Sequence, residues 1–237
     1  MYYAMDNAQI VVLAGGLATR LGSLTQNQPK SMLNIHGKPF LQYQLELFKK
    51  NGITRVLLCL GHLGEQIESY FGDGSHLGID IFYSYENKPL GTAGALKNAE
   101  RFLDDKFFTI YGDSYVSLHF SDVWRYFLSN NKPALMTVYK NNNLYNASNT
   151  IIKDSLVLKY NKRKKTADMA YIEYGVNIFC KEILSEIPPD SFFELGDVFT
   201  SLIADKQLLA YEVKERFFEI GSLKGIEDFK KMVGGTS

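Results

Sequence analysis

A buried strand that leads directly into a glycine turn and two basic residues is the feature that most constrains this chain. The run 10–14, Ile-Val-Val-Leu-Ala, is apolar and rich in β-branched residues, which is typical of a strand in a parallel sheet. Gly15 and Gly16 follow, and without a Cβ the backbone there can turn sharply and approach a ligand. Arg20 and Lys30 come next. Glycine N–H groups together with two cations favour a polyphosphate ligand.

The sequence excludes two well-known phosphate-binding loops. The dinucleotide fingerprint requires G-x-G-x-x-G, whereas the next glycine after Gly16 is Gly22. The Walker A loop requires Gly-Lys followed by Ser or Thr, and that sequence does not occur in the chain. The polyphosphate site therefore belongs to another class.

The stretch after the strand resembles the signature of the sugar-phosphate nucleotidylyltransferases, which is similar to G-G-x-G-T-R-L-x-P-L-T followed by P-K. Residues 15–25 read GGLATRLGSLT, and Pro29-Lys30 follow. Ala18 stands where that signature has its third glycine, and Gly22-Ser23 stands where it has a residue followed by proline. The resemblance extends from about residue 9 to about residue 233. It implies an α/β protein with a Rossmann-like three-layer nucleotidyltransferase fold (GT-A-like) and a mainly parallel central sheet. Some relatives carry a C-terminal β-helix, which we do not expect here because the sequence stops at Ser237, soon after the resemblance ends.

Composition and charge exclude several other classes. Lys+Arg and Asp+Glu both number 26, which argues against a general binder of nucleic acid or of membrane surfaces. No apolar run approaches the roughly 18 residues of a membrane span, and no signal peptide is visible. Cys59 and Cys180 lie far apart and form neither a disulfide framework nor a metal-ligand spacing. We expect a cytoplasmic protein that is a monomer or a small homo-oligomer.

Strands and helices alternate along the first half, which predicts right-handed βαβ units on a parallel sheet. Ligands bind such sheets at the carboxyl ends of the strands, so the loops after Ala14, Tyr85 and Tyr111 should converge on one site. The second half is less regular, and the run 208–213 is predicted as an edge strand. We expect a single nucleotidyltransferase domain over residues 1–237, with a nucleotide-binding half at about 9–148 and a sugar-phosphate-binding half at about 149–233.

The loop after Tyr85 is a candidate nucleoside-binding loop. Its glycines flank Thr92 at a predicted helix start, and from the residues alone a plain loop with an N-cap at Thr92 is an equal alternative. The resemblance favours nucleoside binding, with Glu86 meeting the edge of the base. The predicted nucleotide-binding residues are Leu13, Ala14, Gly15, Gly16, Arg20, Lys30, Glu86, Pro89, Gly91 and Thr92.

Two carboxylates are candidate ligands of Mg²⁺, which prefers carboxylate and phosphate oxygens. Asp113 follows Gly112 at the end of a predicted strand, where a lone Gly-Asp pair also suits a simple turn. The resemblance implies that this pair carries the metal. It also implies a second ligand in an aromatic-x-Asp-x-Gly motif, where this chain has Glu219. The alternative for Glu219 is a surface carboxylate.

The second half supplies candidate contacts to a sugar phosphate. The basic run 161–165 suits a solvated loop, but the resemblance implies that one lysine in such a stretch binds the phosphate. Lys162 is the first choice, and Lys159 is the second. The strand that carries Gly175 is similar to the sugar-contacting strand of the family. Asn149 and Glu173 are further candidates.

These assignments predict nucleotidylyl transfer from an NTP to a sugar 1-phosphate, with release of pyrophosphate. The catalytic residues would be Arg20, Lys30 and Asp113, and Mg²⁺ would be the cofactor. A carboxylate at Glu86 favours GTP, because guanine has two donors on its pairing edge and uracil has one. UTP and CTP remain open. A non-catalytic nucleotide-sugar sensor is an alternative from another class. A glycosyltransferase would need D-x-D, which 113–115 is not.

Overall fold

A computed structural model describes residues 8–16 and 19–235 of the chain, without the side chains of Thr19 and Arg20. Thirteen strands occur in this part of the chain: β1 Gln9–Leu13, β2 Asn34–Ile35, β3 Lys38–Pro39, β4 Arg55–Leu60, β5 Asp80–Tyr85, β6 Lys106–Tyr111, β7 Ser114–Tyr115, β8 Ala134–Lys140, β9 Thr150–Lys153, β10 Leu156–Tyr160, β11 Tyr171–Cys180, β12 Leu208–Val213 and β13 Phe218–Glu219.

Six α-helices lie between and after the strands that the structure describes. They are α1 Phe40–Lys50, α2 Gly64–Phe71, α3 Gly91–Asn98, α4 Phe120–Ser129, α5 Leu195–Ala204 and α6 Leu223–Gly234. Short 3-10 helices occupy Thr19–Thr25, Lys30–Met32, Ser75–Leu77, Glu100–Phe102 and Lys181–Glu186. None of the helices in the described part has the length and apolar character that a membrane span requires.

Within the described residues, nine strands form one central sheet in the order β5-β4-β1-β6-β11-β8-β12-β10-β9. Strands β10 and β11 run antiparallel to their neighbours, and the other pairings between long strands are parallel. The sheet is therefore mainly parallel, as predicted. Because β9 also pairs with β11, the sheet curls back on itself in the second half.

Helices cover both faces of the sheet and give the predicted three layers. Helices α1, α2 and α4 pack on one face, where the spacing of Leu41, Leu45 and Phe48 in α1 buries all three side chains. Helices α3 and α5 pack on the other face, with Leu96 and Phe199 in its core. Apolar side chains thus fill the space on both sides of the sheet.

The prediction of an edge strand at 208–213 was wrong. Strand β12 pairs with β8 along its whole length and with β10 at Leu209, so it lies inside the sheet. Strand β10 of the β9–β10 hairpin pairs with the edge of β12 that the prediction had left unpaired. Local sequence carries little information about such a distant pairing partner.

A third apolar cluster joins the end of the chain to its beginning. The ring of Phe229 in α6 contacts the rings of Phe40, Tyr43 and Tyr115, with centroids 4.9, 5.3 and 5.0 Å away. Aromatic pairs at these distances contribute packing beyond simple area burial. The cluster holds α6 and the short pair β7–β13 beside the carboxyl end of β6.

Candidate active site

The loops at the carboxyl ends of β1, β5 and β6 meet in one cleft of about 900 Å³. This is the convergence that a parallel sheet predicts. The cleft brings together nearly all of the residues that the sequence assigns to the nucleotide and its reaction. They are Leu13, Ala14, Gly15, Gly16, Lys30, Glu86, Pro89, Gly91, Thr92 and Asp113. The side chain of Arg20 and all of Ala18 lie outside the described residues.

Glycines allow the loops that form the cleft to approach one another closely. A Cβ on Gly15 would lie 2.7 Å from Oε1 of Glu86, and a Cβ on Gly112 would lie 2.8 Å from the Cβ of Ala14. The N–H of Gly112 donates to the carbonyl of Leu13 at 2.9 Å. The backbones after β1 and β6 are therefore in direct contact, which leaves no room for a side chain at residue 112.

Gly112→Ala is expected to destabilise the protein by about 1–3 kcal/mol, because the new methyl group meets the Cα and Cβ of Ala14 at 3.0 and 2.8 Å. A melting curve measures the loss. Gly16→Ala is the matched control, since no atom of the described residues lies within 4 Å of a Cβ at that position. Equal melting temperatures for the two variants would contradict the close packing at residue 112.

Lys30 and Asp113 form an ion pair in the cleft. Nζ of Lys30 lies 2.5 Å from Oδ2 of Asp113, and the two side chains are 19% and 24% exposed. Pro29, in an extended conformation, precedes the 3-10 helix that begins at Lys30. The N–H of Ile220 donates to the carbonyl of Asp113 at 2.9 Å, which ties the turn at Gly112 and Asp113 to the segment before α6. A cation and an anion thus face the same space.

Glu86 is half-buried and lines the cleft beside Gly15. Its backbone N–H donates to the carbonyl of Leu60 at 2.9 Å, and its Oε2 accepts from the N–H of Leu90 at 3.3 Å. Burial raises the pKa of the Glu86 carboxyl above its usual range, although the hydrogen bond from Leu90 acts in the opposite direction. The hydrogen bond from Leu90 leaves other lone pairs of the Glu86 carboxylate available to a ligand.

Gly91, Thr92 and Gly94 contact the segment 191–195, which is distant in sequence. Oγ1 of Thr92 donates to Oε2 of Glu194 at 2.7 Å and accepts from the N–H of Leu195 at 2.8 Å. Gly91 has a φ of 72°, and Cβ atoms on Gly91 and Gly94 would each lie 2.6 Å from a carbonyl oxygen of the segment 191–193. The N-cap of α3 is Leu90. The glycines therefore permit tight packing against this segment, while Gly91 and Thr92 also line the cleft.

The sugar-phosphate candidates lie together beside Tyr111, which lines the cleft. Nζ of Lys162 lies 3.3 Å from the hydroxyl of Tyr111 and 3.5 Å from Oε2 of Glu173. Glu173 is nearly fully buried, and its N–H donates to Oδ1 of Asn149 at 2.9 Å. Lys159, the second choice, contacts Thr166 instead. The structure thus brings Lys162, Glu173 and Asn149 next to the cleft.

Gly175 occupies a strained position on β11. Its φ is 96°, and the register of β11 against β8 shifts between Glu173 and Asn177. A bulge of this kind changes the direction of the strand and favours glycine at a positive φ. A Cβ on Gly175 would still lie 3.5 Å from the ring of Tyr111, so the bulge is directed towards the cleft wall.

Glu219 lies on β13, which pairs with β7, the strand that directly follows Asp113. It pairs with Ser114 across β13 and β7, and its carboxylate accepts from the N–H of Gly221 and from Oγ of Ser222, the latter at 2.7 Å. These contacts place the carboxylate at the N-terminus of α6, where a negative charge is favourable. In residues 8–16 and 19–235, no three His, Cys, Asp or Glu side chains form a metal-binding group. The metal role of Glu219 stays a prediction.

Several residues line the cleft that sequence reasoning did not identify. Gly61, His62 and Leu63 follow β4, so the rule about carboxyl ends of parallel strands would have found them. Phe192 and Glu194 come from the segment before α5 and have no such local signal.

A Rossmann-like sheet with a ligand cleft at its carboxyl edge is typical of nucleotide-binding proteins. Within that class, a sequence model of the family described as "Nucleotidyl transferase" matches residues 9–232 of this chain. The chain therefore belongs to this family of sugar-phosphate nucleotidylyltransferases, whose named members are enzymes. The predicted family, the Rossmann-like α/β fold and the enzyme class are confirmed.

Two curated relatives indicate the range of activities in the family. The chain is 30% identical over 215 residues to a D-glycero-α-D-manno-heptose 1-phosphate guanylyltransferase of Campylobacter jejuni, covering 90% of this chain and 94% of that protein. It is 31% identical over 246 residues to a UTP–glucose-1-phosphate uridylyltransferase of Synechocystis. That match covers 95% of this chain but only 62% of the Synechocystis protein.

Solved structures share the fold. HddC from Yersinia pseudotuberculosis, in a complex with GMP-PN, is 27% identical with a TM-score of 0.80, and the match covers 95% of this chain and 99% of HddC. A glucose-1-phosphate thymidylyltransferase-like protein from Bacillus anthracis has a TM-score of 0.87 at 19% identity, covering 98% and 96% of the two chains. The latter match concerns the fold alone.

Proposed function

We propose that this protein transfers a nucleotidyl group from an NTP, preferably GTP, to a sugar 1-phosphate and releases pyrophosphate. The observation that carries the proposal is that one cleft holds the glycine turn, the Lys30–Asp113 pair and Glu86. Lys162 lies beside the same cleft through its contact with Tyr111. In this arrangement, Lys30 and Lys162 can bind two phosphate groups, and the Glu86 carboxylate can bind a nucleobase.

The reaction needs positioning and charge neutralisation more than proton transfer. The attacking phosphate oxygen is already anionic at neutral pH, so no general base is required. The obstacle is the approach of two anions, which cations and preorganised donors lower. Lys30 would bind the α-phosphate, Arg20 the β- and γ-phosphates, and Lys162 the attacking phosphate.

Mg²⁺ fits the chemistry of the residues at this turn. Asp113 supplies a partly exposed carboxylate that lines the cleft, Glu219 lies on the neighbouring strand, and phosphate oxygens would complete a ligand set of the kind that Mg²⁺ prefers. When bound, the ion would neutralise charge on the phosphates.

The preference for GTP rests on Glu86. Its half-buried carboxylate accepts hydrogen bonds and matches the two donors of guanine better than the single donor of uracil. The named guanylyltransferase relatives and the HddC complex with GMP-PN support this choice. The Synechocystis relative, named a uridylyltransferase, makes UTP the main alternative.

The KM for GTP is expected to rise as the pH falls through the pKa of Glu86. Because burial raises this pKa, the carboxylate becomes protonated at a higher pH than an exposed glutamate would, and only the anion accepts both guanine donors. Glu86→Gln should raise the KM for GTP by about tenfold at pH 8 and flatten its dependence on pH. Steady-state kinetics from pH 5 to 8 measure both effects. Glu65→Gln, at an exposed cleft residue, is the control. An unchanged pH profile in Glu86→Gln would argue against base contact.

A pyrophosphate-release assay with four NTPs and a panel of sugar 1-phosphates tests the proposal. We expect turnover with GTP and one or a few sugar phosphates. Preferential turnover with UTP or CTP would keep the reaction class and reject the assignment of the base. Binding of a nucleotide-sugar without any transfer would instead indicate a sensor.

A further inference from the structure

Gln44 in α1 is fully buried directly beneath the turn that carries Asp113. Its Nε2 donates to the carbonyl of Tyr111 at 3.0 Å and to the carbonyl of Ser114 at 2.6 Å. These two carbonyls flank Gly112 and Asp113 on either side. One side-chain amide therefore joins the end of β6 to the start of β7 across the catalytic turn.

The oxygen of the same amide has no hydrogen-bond partner in the described part of the chain. Oε1 of Gln44 is buried and accepts no hydrogen bond from the residues that the structure describes. A buried polar atom without a partner is unfavourable and is uncommon in native proteins. The unpaired Oε1 costs stability, whereas Nε2 of the same amide makes two hydrogen bonds to the backbone on either side of Asp113.

The turn is held by the backbone on its other sides. The N–H of Gly112 donates to Leu13, and the N–H of Ile220 donates to the carbonyl of Asp113, both at 2.9 Å. Gln44 supplies the remaining support from the α1 layer. With the turn fixed in this way, the Asp113 carboxylate lies 2.5 Å from Nζ of Lys30 in the cleft.

We propose that Gln44 is a positioning residue that sets the orientation of the Asp113 carboxylate for Lys30 and for the metal–nucleotide complex. The proposal rests on the proposed function of the cleft. Gln44 does not line the cleft and acts only through the turn. A shift of about 1 Å in a reacting or coordinating group is enough to lower a rate by up to ~10²-fold.

Gln44→Met tests this role because methionine has a similar length and lacks the amide. We expect kcat to fall by at least about tenfold, since the carboxylate is no longer held in place. The Mg²⁺ concentration for half-maximal rate should rise several-fold, while the KM for the NTP stays within about twofold. A second measurement needs no turnover: Mn²⁺ binding in the presence of a non-hydrolysable NTP should weaken by a similar factor.

Two further variants separate positioning from stability. Leu45→Ala removes a buried side chain from the same helix without touching the turn, so it should lower the melting temperature and leave the Mg²⁺ dependence unchanged. Gln42→Met changes a glutamine on α1 whose amide donates to Glu46, and it should behave as wild type. All rates are measured below the lowest melting temperature.

The outcomes distinguish this proposal from the one on which it rests. If wild-type protein turns over and Gln44→Met keeps its kcat and metal affinity, the positioning role is rejected and the proposed function stands. If Gln44→Met and Leu45→Ala lose activity in parallel with no change in metal dependence, the role of Gln44 is structural only. If wild-type protein transfers no nucleotide, both proposals fail.

Discussion

Asp113→Asn should lower kcat/KM by at least ~10²-fold, which corresponds to about 2.7 kcal/mol of transition-state stabilisation. Asparagine keeps the shape of the side chain, and the backbone contacts of the turn to Leu13 and Ile220 do not depend on the carboxylate. The variant therefore loses the negative charge that pairs with Lys30 at 2.5 Å, and with it the proposed metal ligand, without losing the fold.

Initial rates of pyrophosphate release at several Mg²⁺ concentrations measure this effect. Asp122→Asn is a suitable control, because Asp122 forms a surface pair with Arg125 on α4. Such exposed pairs contribute little, so the control should keep near-normal rates and stability. Near-normal turnover by a folded Asp113→Asn protein would defeat the assignment of Asp113 as the metal-binding carboxylate.

Lys30→Met is the second change for which we expect a loss of at least ~10²-fold in kcat/KM. Methionine retains much of the apolar stem and removes the ammonium group, which is the charge proposed to bind the α-phosphate. Part of the loss should appear as weaker nucleotide binding, because the Lys30 ammonium group would also contact the NTP that is bound before the reaction. Titration with a non-hydrolysable NTP separates this part from the loss in kcat.

A double-mutant cycle tests whether Lys30 and Asp113 act as a unit. Because the side chains are in contact, their effects should be less than additive, so that the double variant is little worse than either single one. Lys38→Met provides the control, since Lys38 forms a comparable short pair with Glu46 outside the cleft. Fully additive effects would show that the two residues contribute independently.

Much of the fold could be predicted from local sequence because its signals are periodic and strong. The apolar runs that became β4 and β6, and the spacing of Leu41, Leu45 and Phe48 in α1, are each determined within a short window. The position of β12 was missed because a strand and its neighbours are chosen by long-range packing. The sequence of β12 itself does not indicate that the β9–β10 hairpin lies beside it.

The site was predictable to the extent that topology determines it. The rule that ligands bind at the carboxyl ends of parallel strands brought Gly15, Glu86 and Asp113 together. The rule does not reach Gln44 or Glu194, whose contacts join residues far apart in sequence. It also does not indicate that the Glu219 carboxylate contacts the start of α6, because that depends on side-chain direction.

The aromatic cluster around Phe229 has a consequence for how the protein reaches its working form. The segment that hydrogen-bonds to Asp113 through Ile220 is anchored by a helix that ends at Gly234, while the opposing rings of Phe40 and Tyr43 come from the first quarter of the chain. During synthesis on a ribosome, the glycine turn and Lys30 emerge long before this aromatic cluster can form. The nascent chain must therefore carry an unfinished cleft until α6 has left the exit tunnel.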